Sequence, residues 1–298
     1  MRSNGEVTNE AVLDTYRYLR GGMPVMILML GAAVVIERLH ATCWQTSVSA
    51  YFFTSAHSVF IAALCAIGAM LIVYKGSNDT EDVLLNLAGI LAFVVAMVPT
   101  SRPVLFCGST DLSIGGQSAI PNTWAVVIAL VTSRAASWWM YRRTGTTQRR
   151  STLGAAAVWA QRALLALGLI ALVVVPEWFR ANAHGVAAVA MFAAIILTVV
   201  ITAFVAGNQD LGKCPHRRRY QVFYQWISVV MVLTLVTAVC LHQLLDGFNH
   251  AVLVVEAALI VEFAVYWVIQ TIELWGTPSR TALLAEPDPS DSRLLRAL

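Results

Sequence analysis

The stretch AYFFTSAHSVFIAALCAIGAMLIVYKGSNDTEDVLLNLAGILAFVVAMVPT, residues 50–100, decides the fold. It holds two apolar runs, 58–74 and 83–98, joined by a polar turn at 75–82. At about 1.5 Å per helical residue, each run with its flanks crosses a hydrocarbon core of roughly 30 Å. The turn carries Lys75, Asp79, Glu81 and Asp82, which hydrocarbon does not tolerate. The stretch therefore reads as a transmembrane helical hairpin.

Composition extends this reading to the whole chain. Charged residues make up 12% and hydrophobic residues 58%, with a mean hydropathy of +0.69. A soluble domain carries about 25% charged residues, so a single water-surrounded core is excluded. The net charge of +3 is too small to argue for a nucleic-acid partner; the implied partner is the lipid bilayer. The first residues are polar and of mixed charge, with no short apolar core followed by a small-residue cleavage site, so the first span is expected to act as an uncleaved anchor.

Working outward, the fold class is all-α: a polytopic helical bundle of about eight spans. They are placed at 21–40, 52–74, 82–100, 122–141, 154–175, 183–206, 222–245 and 250–275. A polar leader, 1–20, precedes them, with a short interfacial helix expected in its second half. A tail, 276–298, follows and is expected to be disordered. Eight spans put both termini on one side. That side collects Arg2, Arg17, Arg20, Lys75, Arg142, Arg143, Arg149, Arg150, Lys213, Arg217, Arg218, Arg219 and the tail arginines; the other holds Arg38, Arg102 and Arg180. Cytoplasmic loops carry the excess of basic residues, so both termini are expected in the cytoplasm and the protein in a plasma membrane. Trp44, Trp124, Trp138, Trp139, Trp178 and Trp275 fall near span ends, as an interfacial belt does.

Three constellations carry chemistry. The first is histidine at the outer face: His40, His57, His184, His242 and His250, with only His216 inside. Imidazole beside Glu37, Asp111, Glu177, Asp246 and Asn249 suits a divalent ion or a proton sensor. His57, His184 and His250 are the candidate metal ligands, because each begins an inward-running helix at one level. Against this, a histidine ring also rests comfortably at a bilayer interface without any ligand, and no HxxxH or HExxH spacing occurs.

The second constellation is intramembrane charge. Arg134 and Glu262 each lie twelve residues below the outer end of their spans, about 18 Å deep. A lone charge there costs at least about 2.5–3.5 kcal/mol, so equal depth and opposite sign make them a candidate ion pair. Snorkelling of Arg134 toward the cytoplasm is the competing outcome. Glu256 is also intramembrane but faces elsewhere. Glu262, Tyr266, Gln270 and Glu273 share one face of the last span. This charged seam reads either as an ion path or as a buried network tying helices together. The third constellation is Cys43 and Cys107, both in outer loops, where a disulfide persists. Cys65 and Cys240 lie in apolar runs and read as packing residues; Cys214 sits in a basic loop. No CxxC, P-loop, GxSxG or glycine-rich dinucleotide fingerprint occurs, and no cofactor is named by the sequence.

The segments SVSAYFFTSAHSVFIAALCAIGAMLIVYKG, EDVLLNLAGILAFVVAMVPT and EFAVYWVIQTIELW resemble a family of uncharacterised actinobacterial multi-pass membrane proteins. The likeness covers the first three and last three spans and implies a bacterial plasma-membrane protein without a known activity. Shorter relatives lack a counterpart of residues 105–180, which therefore look like an insertion.

Three functions compete. The leading one is a non-enzymatic membrane protein, handling a small solute or ion or partnering envelope machinery through the charged seam. The alternative is a membrane-embedded, metal-dependent lipid hydrolase with an outer-face histidine site; Ser55, His57 and Asp82 are similar in style to ceramidase-like seven-span hydrolases. That group has paired histidines in its last span, which this chain lacks, and Asp82 is placed at the opposite face from His57. The third is a purely structural role.

Overall fold

The computed structural model describes residues 4–76, 78–112, 118–144, 151–206, 218–244 and 250–277. The tail from Pro278, most of the two basic loops with Lys213, Cys214, His216 and Arg217, and the loop residues Asp246 and Asn249 lie outside them, as do the side chains of Cys240 and His242. Among the described residues eight α-helices follow in order: α1 Asn4–His40, α2 His57–Val73, α3 Asp79–Met97, α4 Ala119–Thr144, α5 Thr152–Val174, α6 Pro176–Val200, α7 Arg218–Leu244 and α8 Ala251–Glu273. Seven contain a stretch long and apolar enough to cross a membrane; α2, with 17 residues, is apolar but shorter. The chain is an integral, multi-pass, all-α membrane protein.

Packing centres on α3, the most completely buried of the spans. It lies against α2, α6 and α5. Its crossing with α2 is made by two glycines. A Cβ on Gly68 would meet the Gly89 carbonyl at 2.8 Å, and one on Gly89 would meet the Gly68 carbonyl at 2.5 Å. Helices in lipid associate by such close backbone approach, because apolar side chains gain little by leaving lipid for one another. From this hairpin the bundle closes as a ring: α1 on α2, α3 on α6, α6 on α7, α7 on α8, and α8 back on α1. α4 and α5 stand outside the ring, on α3 and α6, and are the least buried spans.

Four local features differ from the sequence reading. The leader is not a separate interfacial helix; from Asn4 it is the start of α1, which continues through Pro24. The second span does not begin at Phe52. Residues Ser49–Phe53 form a 3-10 turn, every residue of it buried, and α2 starts at His57. The backbone here turns back into the bundle because Tyr51, Phe52 and Phe53 find cover there. The sixth helix begins earlier, at Pro176, since proline at the first turn sacrifices no helical hydrogen bond. It ends at Val200 and widens into a π-turn, Ile201–Ala206.

Candidate functional site

The stripe on α8 faces the bundle interior. Glu262 sits at the middle of the helix, eleven residues from either end. Its Oε1 accepts a hydrogen bond from the Thr234 hydroxyl of α7 at 2.6 Å. Its Oε2 is buried and has no hydrogen-bond partner among the described residues. One turn on, Tyr266 is fully buried, with its hydroxyl 3.5 Å from Thr202 in the π-turn and its ring against Tyr224 of α7. The Gln270 amide then donates to Glu81 of α3 at 3.2 Å, and both side chains are fully buried. At the end of the helix, the Tyr224 hydroxyl donates to Glu273 at 2.5 Å. Buried polar and charged groups from α3, the π-turn after α6, α7 and α8 thus form one internal seam, from the Glu273 end to mid-helix.

A second set of buried groups closes that end. Arg20 of α1 is 1% exposed. Its guanidinium donates to the carbonyls of Leu274 at 2.6 Å and Thr277 at 3.0 Å, beyond the last turn of α8. Helix C-termini hold carbonyls without intrahelical donors, and a cation there also meets the negative end of the helix dipole. The same guanidinium lies over the rings of Tyr16 and Tyr74, and Trp267 donates its indole N–H to the Arg20 carbonyl. On α3, Asn78 caps the helix by accepting from the Glu81 amide, and Asp82 pairs with Lys75 and accepts from the Gly76 amide.

The opposite end is sealed. A disulfide joins Cys43 to Cys107, with Cα atoms 5.2 Å apart, so the loop after α1 is tied to the loop after α3. Beneath it, Glu37 accepts from the Ser109 amide and hydroxyl and from the Ser55 hydroxyl. Glu256 accepts from the Val48 amide at 2.7 Å. The backbone amides of Leu112 and Leu253 donate to Phe53 and Thr46, closing the turn on both sides. Glu256 therefore serves the fold of this cap, not the seam below it.

The candidate metal ligands do not assemble. His57 is bound through Nδ1 to the Phe52 carbonyl, His184 to that of Val98 and His250 to that of Gln45, each on a different backbone carbonyl. Among the described residues, no group of three or more His, Cys, Asp or Glu is placed to hold a metal ion. His57 and His250 stand at the starts of α2 and α8, but α6 begins at Pro176 and His184 lies more than two turns inside it; each ring is directed by the nearest backbone carbonyl. The hydrolase set is also dispersed: Ser55 serves Glu37, and Asp82 is held by Lys75 at the far end.

Arg134 does not meet Glu262. It is exposed on α4, which packs on α3 and α6, and the pair is absent from the ion pairs of the described residues. Equal depth brings two helices together only if they are neighbours, and α4 stands outside the ring. Sequence reading passed over Arg20, Thr234 and the seam partners on α7. Gln221, Tyr224, Ser228 and Met231 are all buried, and with Thr234 they follow a three-and-four spacing that marks an inward polar face. That signal was available. Arg20 carried none, because at the edge of a span it resembles any basic flanking residue. Comparison with protein-family models, curated proteins and solved structures finds no match.

Proposed function

We propose that the protein handles protons or small cations through the seam on α8, with Glu262 as the group that takes up the ion. The observation that carries this is the state of its carboxyl group. One oxygen is held by Thr234, the other is buried without a partner among the described residues, and the group lies at mid-helix. An ionised carboxylate left so at mid-bilayer costs at least about 2.5–3.5 kcal/mol, which a bound proton or cation removes. Glu273, Tyr224, Tyr266 and Thr202 supply polar groups between Glu262 and the C-terminal end of α8. On the other side, Leu259 is buried and Glu256 is bound into the cap by the Val48 amide. On the arginine distribution both termini lie in the cytoplasm of a plasma membrane, so in this reading the polar line runs from Glu262 toward the cytoplasmic end, which the Arg20 clamp closes. The resemblance to the actinobacterial family remains part of this reading; the marginal position of α4 and α5 supports residues 105–180 as an insertion.

The test is flux into liposomes loaded with a pH-sensitive dye, after a pH step, with a potassium shunt for compensating charge; sodium and potassium gradients are run in parallel. Wild type is expected to equilibrate faster than empty liposomes, and Glu262→Gln to lose most of that rate while keeping its melting temperature. Flux equal to that of empty liposomes under every gradient would overturn the proposal. So would loss in Glu262→Ala with full retention in Glu262→Gln, since shape and not charge would then matter.

A further inference from the structure

A metal cation that sheds its water inside a membrane protein needs a shell of oxygens in its place. Much of that shell comes from backbone, where a spanning helix is broken and its carbonyls are released. Neither helix at Glu262 is broken. α7, Arg218–Leu244, and α8, Ala251–Glu273, are continuous, and neither contains a glycine or a proline. A helical carbonyl accepts from the amide four residues on. Every carbonyl within one turn of Thr234 or Glu262 has that amide inside its own helix, so these oxygens are already occupied.

Side chains do not make up the shortfall. Thr234 is the one hydrogen-bond partner of Glu262 among the described residues, and its hydroxyl donates to Oε1. Four residues on, the Tyr266 hydroxyl lies with Thr202. The other buried residues within a turn are apolar: Met231 on α7, and Leu259 and Phe263 on α8. The helices packed on α8 bring no second charge to this level. α1 has no titratable residue between Arg20 and Glu37, α6 none between His184 and its end at Val200, and α7 none between Tyr224 and Cys240. On α8 itself, Glu256 is held by the Val48 amide and Glu273 by the Tyr224 hydroxyl.

A proton needs a single lone pair. Oε2 offers one, buried and without a hydrogen-bond partner among the described residues. Protonation also removes the charge. A bound sodium or potassium ion would leave two opposite charges with few oxygens around them, and taking such a pair out of water is unfavourable.

Building on the reading of Glu262 as the ion-binding group, we propose that the ion it carries is the proton, and not sodium or potassium. The Thr234 hydroxyl holds Oε1, and the proton rides on Oε2.

Two measurements on the full chain test this. In liposomes, proton entry is read by an internal pH dye with a potassium shunt, and uptake of radioactive sodium and rubidium is counted in separate vesicles without the shunt. Proton entry that Glu262→Gln lowers at least fivefold is expected, with tracer uptake equal in wild type, Glu262→Gln and empty liposomes. Tracer uptake in wild type at least threefold above Glu262→Gln would overturn the proton assignment and leave Glu262 as the ion-binding group. Uptake of no ion at all would sink both. The second measurement needs no transport. Dicyclohexylcarbodiimide is lipid-soluble, and a protonated carboxyl adds across its C=N bond: the carboxyl oxygen bonds to carbon, the proton goes to nitrogen, and the adduct rearranges to an N-acylurea with nothing lost. Val261 and Val265, near Glu262 on α8, are exposed, so the reagent reaches this level from the bilayer. Mass spectrometry is expected to find the adduct on Glu262, to lose it in Glu262→Gln, and to show the same rate in sodium, potassium or N-methylglucamine chloride of equal ionic strength. Slowing of at least twofold by sodium or potassium would reveal a competing metal cation, and an unlabelled Glu262 would remove the proton from Oε2; either result overturns the proton assignment. A melting curve for Glu262→Gln separates loss of the site from loss of fold.

Discussion

At the residue scale, Arg20 shows how one side chain ties the first helix to the last. Its two charge-assisted bonds end on carbonyls that α8 itself cannot satisfy. A hydrogen bond to a charged group contributes about 1.5–3 kcal/mol, and burying the carbonyls unbonded adds to the loss. Arg20→Ala is expected to destabilise the protein by about 2–4 kcal/mol on this ground. Arg20→Lys recovers little of it, since an ammonium is a single point charge and does not stack on Tyr16 and Tyr74 as a planar guanidinium does. Melting of the purified variants in one detergent checks this; an Arg20→Ala curve overlying wild type would show that the clamp is dispensable.

At the element scale, the α2–α3 crossing depends on the two glycines. Gly68→Ala and Gly89→Ala each place a methyl group against backbone, which cannot yield as a flexible side chain does. Overpacking of this kind costs about 1–3 kcal/mol. Gly31 of α1 is the contrast, with nothing within 4 Å of an added Cβ. Gly31→Ala is expected to be neutral or to stabilise by up to about 1 kcal/mol through helix propensity. Equal melting temperatures for the three alanine variants would remove the crossing from the account. This scale is also where the sequence was most legible. Long apolar runs between charged turns located every helix, because hydrophobic length is the one thing the bilayer demands. Apolarity did not show which helices would be neighbours. The α8 stripe could be read from its own spacing, whereas pairing Arg134 with Glu262 required knowing that α4 lies outside the ring. The 3-10 turn Ser49–Phe53 misled for a related reason: SAYFF is as apolar as a span, and only its cover in the folded bundle distinguishes the two.

At the scale of the whole molecule, the two ends differ in how they are held. One is closed by noncovalent clamps, Arg20 on α8 and Gln270 on Glu81. The other carries a disulfide across 64 residues of chain. Disulfides persist where the compartment is oxidising, so the disulfide leads to the expectation that this end lies outside the cytoplasm, the orientation that the arginine distribution predicts. Two independent physical effects, redox chemistry and insertion electrostatics, therefore bear on one topology. A membrane-impermeant maleimide applied to intact cells tests them together. Without reductant no labelling of Cys43 or Cys107 is expected, and after an impermeant reductant both label. Labelling only after the membrane is opened would place this end inside and reverse the topology. Cys43→Ser removes the tie: for a free chain a 64-residue loop contributes about 4 kcal/mol, and here the spanning helices already restrict the unfolded chain, so a smaller loss is expected. What it releases is the cap. With Cys107 no longer held to the loop after α1, the turn that buries Tyr51 and Phe52 keeps only its hydrogen bonds to Glu37, Glu256 and the backbone. If the cap closes the seam from this side, Cys43→Ser raises the ion flux of the liposome assay, and Glu262→Gln abolishes the increase. An increase that persists in the double variant would mean a leak around the cap and not passage along the seam.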